Sequence, residues 1–96
     1  GDDDLKILEE VERTADRMAV YRIAKDFTDT YFQEEYTGEV EIMGIKGLSG
    51  VDTDSKGNCT VEVEFRPVQE DSLSYLFMTF GYDELGWTIS SYGVEK

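Results

Sequence analysis

The chain has 96 residues, 22 Asp and Glu against 9 Lys and Arg, a formal net charge of −13 and no histidine. That length holds a single domain with one modest core, and that charge repels nucleic-acid backbones and anionic lipid surfaces. The missing histidine removes Ser-His and Cys-His nucleophile pairs and His-ligated zinc or iron sites.

With 40% apolar and 12% aromatic residues the chain is too rich in core formers for a disordered acidic tail. Its one cysteine, Cys59, cannot close an intrachain disulfide, and no tract approaches the roughly 18 apolar residues of a membrane span. The start, Gly1-Asp2-Asp3-Asp4, has neither initiator Met nor basic n-region and reads as the scar of a cleaved expression tag. What was cut away stays open at this point: nothing, a signal peptide or a lipid anchor.

From Leu5 to Tyr36 apolar residues recur in steps of three and four: Leu5, Leu8, Val11, Ala15, Met18, Ala19, Ile23, Phe27 and Tyr31. This spacing predicts one helical region over 4–36 with a single core-facing stripe. Asp4 is its expected N-cap and Gly38 its stop. A helix of that length exceeds so small a domain. The expectation is a bend or break around Arg13–Arg17, where Thr14 and Asp16 could start a second segment, with a straight helix that overhangs the sheet as the alternative.

After Gly38 the period changes to two, and the sheet is predicted over 39–94. Glu39-Val40-Glu41-Ile42 and Val61-Glu62-Val63-Glu64-Phe65 alternate. Asp52 to Asn58 is a turn-forming cluster, Gln69 to Ser72 a second, and Asp83-Glu84-Leu85-Gly86 a tight connection. Strands from about Leu73 to Tyr82 and from Trp87 to Val94 complete an antiparallel four-stranded meander. The fold class is therefore α+β, a two-layer sandwich of a helix on one sheet face, as a single domain over 1–96. Pro67 suits a strand terminus. In the third strand Leu76, Met78, Phe80 and Tyr82 share one face and Leu73, Tyr75 and Phe77 the other. The helix covers only one face, so the second meets a curled part of the sheet, a ligand or a second copy.

A long N-terminal helix, a four-stranded meander and a closing Gly86-Trp87-Thr88-Ile89-Ser90-Ser91-Tyr92 strand together resemble the cystatin-like and NTF2-like superfamily. More narrowly, they resemble the small cystatin-like domains of bacterial envelope lipoproteins. The resemblance implies a helix wrapped by a curved sheet, and dimerisation through the sheet or a shallow concave cavity. It does not extend to protease inhibition: the chain has no Gln-x-Val-x-Gly segment, and Trp87 follows Gly86 rather than Pro. It also implies an NTF2-like enzyme as one reading, for which four strands make a small pocket.

Asp52, Asp54, Gly57 and Asn58 imitate part of a calcium loop, but Lys56 takes the fifth position and Val63 the twelfth, where a Glu is needed, so the segment reads as a polar hairpin. Glu39, Glu41, Glu62 and Glu64 gather on one sheet face, for a cation or a basic partner, or simply as a solvated surface. Cys59 shares parity with Val61, Val63 and Phe65 and reads as a buried thiol. Asn58-Cys59-Thr60 matches a glycosylation sequon. A Tyr-carboxylate acid-base pair, Tyr31 or Tyr92 with Asp26, is not singled out by spacing. Among the aromatics, Trp87 divides between core and surface. The candidate interaction surface is Leu73, Tyr75, Phe77 and Tyr92.

The resulting expectation is a non-enzymatic, extracytoplasmic module that binds a protein partner or itself through a sheet face, with no cofactor, no metal, no nucleic acid and no direct membrane insertion. The alternatives are an intracellular acidic inhibitor or immunity-type protein for a basic enzyme, and the small NTF2-like enzyme. Charge is spread evenly, 11 acids and 5 bases before residue 37 and 11 and 4 after it, which favours solubility over a shaped mimic.

Overall fold

A computed structural model describes the backbone at 2–37, 39–47 and 59–96, and within these the side chains of all but 2 and 9–14. One helix, α1 (Asp2–Tyr36), precedes four strands: β1 (Val40–Lys46), β2 (Cys59–Pro67), β3 (Ser74–Asp83) and β4 (Gly86–Glu95). The strands form one antiparallel sheet in the order β1-β2-β3-β4, the expected meander. The fold is α+β, with α1 on one face of an open sheet.

The helix runs unbroken through Arg13–Arg17. At about 1.5 Å per residue its 35 residues span roughly 52 Å, close to the 56 Å long axis of the molecule. Asp4 therefore lies within the first turn rather than at the cap, where its carboxylate still faces the positive end of the helix dipole. At the other end Thr37 takes φ +54°, the left-handed conformation that terminates helices. Glu39 donates its N–H to the Tyr36 carbonyl at 3.1 Å there. The expected stop, Gly38, lies outside the described residues.

The buried ridge of α1 advances in steps of four: Val20, Ala24, Thr28 and Phe32 are all buried. Ala19, Ile23, Phe27 and Tyr31 pack beside it, half-buried. Such a row is inclined to the helix axis, and α1 crosses the sheet accordingly. Trp87 Nε1 of β4 donates to Asp16 Oδ1 at 3.1 Å, Thr28 Oγ1 meets Met78 Sδ of β3 at 3.8 Å, and the Phe32 ring packs tilted against Phe65 of β2 with centroids 4.7 Å apart. The sheet side of the core is Val61, Val63 and Phe65 from β2 with Leu76, Met78 and Phe80 from β3.

This corrects the predicted stripe. Ile23, Phe27 and Tyr31 flank the core, but Leu5, Leu8, Ala15 and Met18 are exposed. The helix has left the sheet before it reaches them. At 3.6 residues per turn, Met18 and Val20 point about 200° apart.

Two β-bulges set which side chains face α1. One falls between Ile42 and Gly44 in β1. The other falls opposite Thr79 and Phe80, where Ser90 is the extra residue of β4. Gly47 has φ +97°, and a Cβ there would run into the Thr60 carbonyl, so the end of β1 requires glycine. The β3–β4 turn closes with Leu85 donating its N–H to Asp83 Oδ1 at 2.8 Å and Gly86 at φ +97°.

Candidate functional site

The sheet's outer face is built from the alternate residues of each strand. Tyr75 and Phe77 of β3 lie on it, half-buried, with Leu73 just before the strand. Glu64 and Glu95 stand opposite Tyr75, and Glu62 and Gly93 opposite Phe77. The carboxylates on this face are partly neutralised within it: Arg66 Nη2 bonds Glu41 Oε2 at 2.7 Å and Lys46 Nζ lies 3.8 Å from Glu64 Oε2. Among the described residues no group of acids, or of acids with Cys, is arranged to hold a metal ion.

Tyr92 is on the other face. It pairs with Met78 and meets Phe27 edge-on at 4.9 Å and Tyr31 at 6.0 Å. Counting by twos from Trp87 puts Tyr92 outside, and the bulge at Ser90 turns it back towards α1. The four candidate residues therefore divide three to one between the faces of the sheet. Trp87 is core, 7% exposed, with its indole N–H on Asp16.

Cys59 is buried and free, and burial pushes its thiol up from the ordinary 9.0, so it is an inert core group. Tyr31 belongs to an aromatic cluster with Phe27, Phe32, Tyr36 and Tyr92. Burial first, and then the neighbouring Tyr36, Glu35 and Tyr92, raises its phenol above 10.0. No hydrogen bond joins Asp26 to Tyr31 or Tyr92, and Asp26 is exposed. The calcium-like segment 52–58 and the Asn58 of the sequon lie outside the described residues.

Among the described residues, three open hollows bear on the site. One of about 490 Å³ lies under the C-terminal end of α1, between Tyr36, Glu35, Glu39, Pro67 and Glu70. Its Tyr36 phenol is raised by burial and then by Glu70 and Glu35. A second, about 570 Å³, follows the bulge of β4 beside Phe27 and Tyr92. The third, about 420 Å³, is on α1 itself among Arg17, Met18, Tyr21, Arg22 and Lys25, on the side turned away from the sheet.

Large apolar side chains stand exposed at that third hollow and again towards the start of α1. Leu5, Ile7, Leu8 and Met18 are between 57% and 65% exposed, and Tyr21 is 42% exposed. The periodicity of the sequence predicts Leu5, Leu8 and Met18 to be core. Met18 is set apart by angle, since it lies on a different side of α1 from Val20, and Leu5 and Leu8 by position, since the helix has left the sheet before it reaches them. No protein family, curated protein or solved structure matches the chain.

Proposed function

We propose that this protein is a non-enzymatic interaction module whose binding element is the N-terminal half of α1. One observation carries the reading: a continuous helix leaves its sheet and holds Leu5, Ile7, Leu8 and Met18 in solvent. A helix of about 14 residues is marginal in water by itself, and clustered exposed apolar side chains mark association surfaces. A covering surface supplies both support and burial. The sheet's outer face, around Tyr75 and Phe77, is the lesser candidate, since these rings are already half-buried by their own strands. The resemblance of the element order to envelope lipoprotein domains supports an extracytoplasmic setting.

A photo-crosslinking amino acid at position 8, and separately at position 75, in the producing cell tests the reading. The expected result is a defined adduct from position 8. An adduct of twice the chain mass means self-association, and one of another mass means a different protein; both support the module. Adducts from position 75 alone, or from neither position, would overturn the assignment to α1.

A further inference from the structure

The sequence of α1 carries a second pattern that the core does not use, and among its described members Leu8, Ala15 and Met18 are exposed. Asp4, Leu8, Val11, Ala15, Met18 and Arg22 follow one another at steps of four, three, four, three and four, the a and d spacing of a coiled coil. The charge of the helix is also divided. Positions 2–12 hold six acids (Asp2, Asp3, Asp4, Glu9, Glu10, Glu12) and one Lys, whereas positions 13–25 hold four bases (Arg13, Arg17, Arg22, Lys25) and one Asp. Two such helices side by side in parallel oppose acid to acid. Antiparallel, each acidic third meets the other's basic third.

We infer that the occupant of this surface is a second copy of the chain, bound antiparallel through residues 4–22 of α1 with Leu8 of one copy against Met18 of the other. This rests on the interaction-module reading and specifies its partner. A two-fold axis at residue 13 brings every layer into register: Asp4 meets Arg22, Leu8 meets Met18 and Val11 meets Ala15. At the flanks Ile7 approaches Tyr21 and Leu5 approaches Ala19. The five large exposed apolar residues described on α1, Leu5, Ile7, Leu8, Met18 and Tyr21, are then covered. Near the axis position 12 of one copy comes level with position 12 of the other, which puts one acid of each chain next to its like. Because Met18 projects away from Val20, the second copy lies on the side of α1 opposite the sheet, and the two sheets stay clear of each other.

The test is disulfide trapping with sedimentation. Leu8→Cys mixed with Met18→Cys is expected to give a covalent heterodimer under mild oxidation. Each variant alone is expected to give none, because like positions lie about 10 residues, or roughly 15 Å, apart along the axis, beyond the ~7 Å a disulfide tolerates. The unaltered chain, with its buried Cys59, is the control. By sedimentation, Arg17→Glu with Arg22→Glu is expected to weaken the dimer at least tenfold. Mixing that chain with one carrying Asp4→Lys and Glu9→Lys restores it.

Cross-linking of Leu8→Cys with itself overturns the antiparallel arrangement. A chain that sediments as a monomer at every concentration overturns self-association. In either case, an adduct of other mass from position 8 in the cell leaves the interaction-module reading standing, and absence of any adduct there removes both.

Discussion

Asp16 ties α1 to β4 through Trp87, and its replacement tests that anchor. Trp87 is 7% exposed and its Nε1 donates to Asp16 Oδ1 at 3.1 Å. Asp16→Ala leaves an indole N–H in the core edge without its acceptor. A hydrogen bond to a charged group contributes roughly 1.5–3 kcal/mol, and the half-exposed Asp16 places the expected loss at the lower end, about 1.5–2 kcal/mol. For a domain of this size that lowers Tm by roughly 6–15 °C. Asp16→Asn keeps a neutral acceptor and is expected to cost about half as much. Urea unfolding followed by circular dichroism gives the stabilities. Since Trp87 is the only tryptophan, its emission reports the site directly and is expected to shift red in Asp16→Ala. A double-mutant cycle with Trp87→Phe isolates the pair. A coupling energy within about 0.5 kcal/mol of zero, inside additivity, would refute the claim that this bond anchors α1.

Two further outcomes follow from the core. Ser74 is fully buried, and its Oγ has no hydrogen-bond partner among the described residues; Ser74→Ala is expected to raise stability by about 1 kcal/mol, and a loss in chemical denaturation would show the hydroxyl to be satisfied. Burial raises the Cys59 thiol above 9.0, and the Tyr31 and Tyr36 phenols above 10.0, so the folded state holds these protons more tightly than the unfolded chain. Their contribution is complete below about pH 9 and is lost as pH rises through the raised values. Stability measured against pH should fall first with Cys59, and Cys59→Ala should remove that earliest decline.

The turn residues and strand alternation of the chain were legible from local rules, because Val61-Glu62-Val63-Glu64-Phe65 and the Asp83–Gly86 connection each obey one period and one turn chemistry. The meander follows from those short connections. Tyr92 was not legible: a single extra residue at Ser90 inverts every face that follows it, and nothing in Ser90-Ser91 announces a bulge. The phase of α1 failed differently. Met18 and Ala19 are adjacent, and through them two stripes on different sides of one helix read as one. Thr28 added to the error, since a polar residue hides the row Val20, Ala24, Thr28, Phe32 that meets the sheet. Of the candidate surface, three residues on the outer sheet face could be placed by parity alone. The exposed stripe of α1 was visible as hydrophobic, but not as uncovered, because sequence spacing does not say where a sheet ends.

The most direct measurement is amide hydrogen exchange along α1 in dilute and in concentrated protein. Residues 20–36 should be protected at both concentrations, and residues 3–15 should exchange quickly when dilute and slowly when concentrated, with the change confined to that half of the helix. Equal protection of 3–15 at every concentration would mean that the chain supports this half by itself. Fast exchange there even in concentrated protein would mean that no second copy covers it, and either result would contradict the account.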